Sequence, residues 1–198
     1  MCYYISMELI KGKKKFSTHT KILHSAKALF EKKSASHTTI DDIALYSGIS
    51  RSTFFTHFDS LDELYAELAN CELKDLLSIL NELKDTGLSD SEVLKRLFSR
   101  IIDDTAKYPK AFIEIFMKGI IFSDDENDSY AEFENAVRDF LKNSPAALKN
   151  NASGKDMFSG LLGQYLGIVF SALVHEKTIC NPHELKLKLF TYIDALFI

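Results

Sequence analysis

Apolar residues recur at helical spacing along the chain, in segments divided by cap and turn signals. From Thr18 to Lys33 the stripe is Ile22, Leu23, Ala26, Leu29 and Phe30, one buried face of a helix that Ser17 or Thr18 can open. Thr39 with Asp42 has the form of a capping box and starts a short helix, Ile40 to Tyr46, which Ser47-Gly48 ends. Ser50 caps the next, Arg51 to His57, and Ser60 with Glu63 opens a long one from Leu61 to about Lys84. Asp85-Thr86-Gly87 breaks that helix, and Ser89 with Glu92 starts another to Lys107. Pro109 suits the first residue of a helix to about Phe122, because its missing N–H is not needed there. An acidic loop, Ser123 to Asp128, leads to a helix over Ser129 to Lys142. A turn-rich connection follows through Lys155, then a helix from Asp156 to His175, and a last one after Asn181-Pro182. The pattern predicts an all-α fold of about nine helices.

Composition agrees. Only 8 glycines and 3 prolines interrupt 198 residues, and 46% hydrophobic with 26% charged residues is the balance of a soluble globular chain. No run of about 18 apolar residues predicts a membrane span. The opening residues are too short and polar for a signal peptide, and both Met1 and Met7 can serve as the start. Cys2, Cys71 and Cys180 are scattered, which fits reduced thiols in a cytoplasmic protein better than a disulfide or zinc framework. No cofactor is expected.

Charge points to a partner. The chain totals −4, yet residues 11–58 hold nine bases and three acids. Four of the nine bases, Lys11, Lys13, Lys14 and Lys15, form an arm ahead of the first helix. A basic quarter on an acidic body predicts that this end meets a polyanion, although a lysine-rich solvated face has the same composition.

Residues 39–58 have the spacing of a helix-turn-helix. Two short helices must cross through a tight turn: Ala44 is small where they touch, and Gly48 permits the turn. Ile40, Ile43, Ile49, Phe54 and Phe58 supply a shared core. The outer edge of the second helix then carries Arg51, Ser52, Thr53, Thr56 and His57, side chains that can donate to phosphates or to base edges.

At these residues the chain resembles the TetR/AcrR family of bacterial transcriptional regulators. The matching stretches are residues 21–30, 38–44, 47–58 and 60–64, about a quarter of the sequence. The resemblance implies a flexible basic arm (1–16), a three-helix helix-turn-helix domain (17–65) and a larger helical domain for effector binding and dimerisation (66–198). It places Ser50, Arg51, Ser52 and Thr53 at the start of the recognition helix in the major groove of double-stranded DNA. Phe55, Thr56 and His57 fall beside the phosphates, with Thr39 as a further phosphate donor. Three departures stand out. Phe55 lacks the family's usual aromatic hydroxyl, Leu61 replaces a common lysine, and the usual glycine after the first helix is missing within Lys33-Ser34-Ala35.

The rest of the chain carries two expectations. The segment 156–175 is apolar on too many sides for one stripe, and Gly160, Gly163 and Gly167 allow close helix approach. Phe158, Leu162, Leu166, Val169 and Phe170, with Leu189 and Ile193 from the last helix, are candidates for a homodimer interface. The competing reading is that they close the monomer's own core. An aromatic-rich middle offers Tyr108, Phe112, Phe116, Met117, Phe133 and Tyr165 as lining for a small apolar or aromatic effector, although simple core packing accounts better for any one of them. Glu114, Gln164, Tyr165 and His175 are its few polar groups. No catalytic motif is found: no HExxH, phosphate loop or nucleophile elbow. The implied function is a repressor of a palindromic operator, released by its effector. The alternative is a regulator without a small-molecule effector, controlled by a protein partner or by abundance.

Overall fold

A computed structural model describes residues 17–107, 114–117, 129–142, 144, 153–176 and 181–197. The α-helices are α1 (Thr18–Lys33), α2 (Ile40–Ser47), α3 (Arg51–Phe55), α4 (Leu61–Lys84), α5 (Asp90–Lys107), α6 (Ser129–Lys142), α7 (Gly154–Glu176) and α8 (Pro182–Phe197). A 3-10 turn, Ala35–His37, joins α1 to α2, and residues 114–117 are also helical. No strand occurs among the described residues. The predicted Pro109–Phe122 helix, the acidic loop and the connection before α7 lie largely outside them, as do the basic arm, Cys2 and Cys180.

The caps read from sequence account for most starts. Ser17 accepts the Thr20 N–H at 3.2 Å, Ser89 accepts that of Glu92 at 3.3 Å, and Asn181 accepts that of His183 at 3.0 Å. Two boundaries differ. α7 begins at Gly154 because Ser153, not a later residue, caps it: its Oγ accepts the Asp156 N–H at 3.1 Å. α3 ends at Phe55 rather than His57, because the Thr56 N–H turns to the Thr53 carbonyl and the His57 N–H to that of Phe54.

The chain falls into two compact units. Of the described residues, the first contains 17–75, 114–117 and 129, and the second 76–107, 130–142, 144, 153–176 and 181–197. The division falls inside α4, between residues 75 and 76, and a segment far along the chain returns to the first unit. Its core joins Ile22, Ala26 and Phe30 of α1 to Ile43, Phe54, Phe58, Leu64, Tyr65 and Leu68, with Ile115 completing it. Leu61 packs against this cluster, so the residue that replaces the expected lysine has become part of the hydrophobic core.

In the second unit α8 packs on α5 and on α7. Val93, Leu94, Leu97, Phe98, Ile101 and Ile102 of α5 are buried, as are Leu185, Leu189 and Ile193 of α8. Asp194 ties the pair by accepting from Lys95 at 2.5 Å and from Ser91 at 3.1 Å.

The missing glycine after α1 leaves a mark. Ser34 closes the helix at φ 67, ψ 156, a region that residues with a side chain almost never occupy. It is held there because its N–H donates to the Phe30 carbonyl at 2.8 Å and its carbonyl accepts from Thr38 Oγ1 at 2.7 Å. A Ser34→Gly variant removes the strain and keeps both bonds. It should be more stable by about 1 kcal/mol, read as a higher midpoint in urea unfolding.

Candidate nucleic-acid interface

α2 and α3 are built from their caps inward. Thr39 Oγ1 accepts the Asp42 N–H at 3.2 Å, and the Asp42 carboxylate accepts the Thr39 N–H at 2.8 Å, a complete capping box. Gly48 ends α2 at φ 68, ψ 37, the left-handed conformation that glycine adopts without a Cβ penalty. Its neighbour's N–H, on Ile49, returns to the Ala44 carbonyl at 3.0 Å. Ser50 caps α3, its Oγ accepting the Thr53 N–H at 3.0 Å.

α3 buries Phe54 alone. Around it Ser50, Arg51, Ser52, Phe55 and Thr56 are exposed, while Thr53 and His57 are half-buried. The predicted reading residues are thus all accessible at least in part, as is Thr39 at the start of α2. Several of their polar atoms already have internal partners. Thr39 Oγ1 also donates to Asp42 at 2.6 Å, and Thr56 Oγ1 donates to the Thr53 carbonyl at 2.7 Å. Phe55 has a role that the sequence did not disclose: the Arg51 guanidinium lies over its ring, 5.4 Å from the centroid. His57 sits edge-on to His19 at 5.7 Å, and His19 stacks on Phe58 at 4.7 Å while bonding Glu67 of α4 at 2.5 Å.

The bases of this unit are largely committed to acids. Lys27 is buried against Glu72 at 2.6 Å, Lys33 pairs with Asp42 at 2.6 Å, and Arg51 pairs with Asp41 at 2.7 Å. Lys32 lies over the Tyr46 ring at 4.8 Å. The positive excess read from the sequence therefore rests mainly on the Lys11–Lys15 arm.

A second set of contacts grips the link between α1 and α2. The Tyr65 hydroxyl donates to the Ala35 carbonyl at 3.2 Å, and the Glu114 carboxylate accepts the Ala35 N–H. Burial, aided by the carboxylates of Glu114 and Asp62, pushes the Tyr65 hydroxyl up to about 12, so it remains a donor. Glu114, a candidate effector group by sequence, is thus engaged at the helix-turn-helix.

The other effector candidates are divided between the units. Phe116 is half-buried and lines a cleft of about 10 Å³ with Lys27, Ala69, Glu72 and Ile115, room for one water-sized sphere. Met117 is exposed. In the second unit Phe133 is buried edge-on to Phe158 at 6.4 Å, and Tyr165 is buried beside Phe98, its hydroxyl 2.5 Å from Thr105 Oγ1. Gln164 is exposed. Tyr108 and Phe112, and the His175 side chain, lie outside the described residues.

The candidate dimer residues are likewise sorted. Phe158, Val169, Leu189 and Ile193 are buried inside their own unit, so they serve its core. Leu162 is half-buried, and Leu166 and Phe170 are exposed, with Val174 and Leu187 beside them in exposure. Gly160 approaches α8 closely, since a Cβ there would meet the Tyr192 hydroxyl at 2.9 Å; Gly163 and Gly167 face open space.

Among the described residues no group of three or more His, Cys, Asp or Glu is placed to hold a metal, and no helix is long and apolar enough to cross a membrane.

Two titrations act in one direction. Burial, with the nearby Lys27 ammonium, lowers His24 from its ordinary 6.5. Hydrogen bonds from Lys33 and Thr39 hold the Asp42 carboxyl far below its ordinary 3.8. In both cases the unfolded chain binds more protons, so stability falls on acidification. Thermal melts should show a first decline below pH 6.5 that His24→Gln reduces. A second should appear below pH 3.8 that Asp42→Asn reduces.

Residues 22–68 match the profile described as bacterial regulatory proteins, tetR family. Over 97 residues the chain is 30% identical to the biofilm operon icaADBC HTH-type negative transcriptional regulator IcaR of Staphylococcus aureus (strain Newman). That alignment covers 48% of this chain and 52% of the relative, so the chain spans about half the length of the curated relatives it matches. The fatty acid degradation regulator FadR of Bacillus halodurans shares the fold with a TM-score of 0.72 and 13% identity, over 91% of this chain and 96% of that one. The FadR of Thermus thermophilus, a TetR family transcriptional repressor solved in complex with lauroyl-CoA, does so with a TM-score of 0.58 and 19% identity, over 90% and 92%. Residues 22–68 are thus similar to the helix-turn-helix region of tetR-family bacterial regulatory proteins, and the described fold is shared with these solved regulators.

Proposed function

We propose that the chain is a transcriptional repressor that binds a palindromic operator as a homodimer and lets go when a small, largely apolar effector binds its second unit. The observation that carries the DNA-binding part is the exposed edge of α3. One buried aromatic anchors the helix, and hydroxyls and a guanidinium are left accessible from a capped N-terminus, with the half-buried His57 imidazole just beyond its end. The name of IcaR, a negative regulator, supports repression. The lauroyl-CoA held by the Thermus FadR supports an effector with an acyl chain or comparable apolar body.

Dimerisation is favoured by α7. Its inward face is Phe158, Leu161, Tyr165, Val169 and Ala172, while Leu166, Phe170 and Val174 recur every four residues on an exposed face. Three large apolar side chains in line, beside open glycines, suit a second copy of the same helix. Two recognition helices at one-turn spacing then require that pairing. An effector acts by preferring one pose of the dimer to the other, with α4 running from the first unit into the second as the lever.

The alternative, a regulator without an effector, draws on Tyr165. Its hydroxyl is already satisfied by Thr105, and Phe98, Phe133 and Phe158 fill space near the buried aromatics. A thermal-shift screen with apolar compounds, long-chain acyl thioesters included, separates the two. The effector reading expects a compound that raises the melting temperature and releases DNA; stabilisation without release, or none at all, favours the alternative.

Two further outcomes are expected. Deleting residues 1–15 should weaken binding to every sequence and flatten its salt dependence, measured by fluorescence anisotropy. The log–log slope should become shallower by about 0.9 for each phosphate that the arm neutralises. Phe170→Glu should convert a dimer to a monomer of unchanged helicity, measured by sedimentation and circular dichroism.

A further inference from the structure

Both adjacent aspartates in the first turn of α2 suit the positive end of the helix, but only Asp42 makes a local bond there. It completes the capping box and pairs with Lys33. Asp41 does neither. Its side chain is 68% exposed, and its Oδ2 lies 2.7 Å from Nη1 of Arg51, the first residue of α3. A carboxylate on the DNA-facing side of a binding head repels phosphates, so general affinity for DNA gives no reason for it.

We propose, resting on the DNA-binding reading above, that Asp41 is a specificity-determining positioning residue: it buttresses the Arg51 guanidinium so that the remaining N–H edge is offered to one guanine in each half-site. The guanidinium is a planar fork of five donors. With Nη1 paired to Asp41 and the guanidinium carbon 5.4 Å from the centroid of the Phe55 ring, two contacts bias the orientation of the fork before DNA arrives. The edge left open can bond the paired acceptors O6 and N7 that guanine presents in the major groove. Biasing the fork in advance lowers the ordering cost of that contact. The same carboxylate penalises binding to DNA that offers Arg51 no such acceptors. Asp41 thus sets discrimination in two ways, favouring the right base and weakening non-specific binding.

The test uses the full chain. Bound duplexes are selected from random DNA with the wild type, and the base pair whose preference disappears in Arg51→Ala marks the position read. All four base pairs at that position are then compared with the wild type and Asp41→Asn, and melting temperatures are measured alongside. In Asp41→Asn the preference for guanine there should fall about tenfold, affinity for unrelated DNA should rise, and the melting temperature should stay where it was, since an exposed pair adds little stability. Unchanged guanine preference in Asp41→Asn, or an equal loss at every position, overturns the inference while leaving the DNA-binding reading intact. A wild-type chain that enriches no sequence overturns that reading, and the inference with it.

Discussion

Helix α3 is five residues long, and a helix of that length does not persist in water by its own hydrogen bonds. Its pose depends on burial of Phe54 and Phe58 in the core shared with Ile22, Phe30, Ile43 and Tyr65. Fully burying such an aromatic contributes roughly 2–3 kcal/mol. The polar edge is therefore a by-product of hydrophobic anchoring: whichever side of α3 is not drawn into the core faces outward. Caps at Thr39 and Ser50 and the left-handed Gly48 then set the angle at which that edge is held.

The same core explains why the returning segment matters. Ile115 is buried in it, and Glu114 takes one side of the Ala35 peptide while Tyr65 takes the other. Beside this grip stands Ser34 in its strained conformation. The α1–α2 link is thus fixed by residues from α4 and from residues 114–117. A shift in either element acts on the helix-turn-helix through two hydrogen bonds and one buried isoleucine. The buried Lys27–Glu72 pair provides a further tie between α1 and α4.

What could be read from the sequence was local. Cap residues with partners three positions on mark the helix starts at Thr39, Ser50, Ser60 and Ser89, because that chemistry is complete within one turn. Ser153 escapes such a reading in favour of a later start, although Ser153 and Asp156 have the same form as Thr39 and Asp42. The non-local features were not legible. Nothing in the spacing of Glu114 and Ile115 ties them to Ala35, some 80 residues earlier. Apolar residues on all sides of α7 could not be divided into inward and outward sets, because Phe158 and Val169 look like Leu166 and Phe170 until α8 is placed. The ion pairs that absorb Lys27, Lys33 and Arg51 are equally invisible to a count of charges. Phe55 looks in the sequence like a missing phosphate donor, and the structure gives it a different task under Arg51.

In the proposed complex, DNA is held by α3 and the start of α2. Amide hydrogen exchange on the full chain, with and without a duplex enriched by selection, tests it most directly. Slowed exchange should concentrate in peptides covering Thr39 to His57. Binding accompanied by protection only in peptides from α5 to α8, with α2 and α3 exchanging as in the free chain, would contradict it.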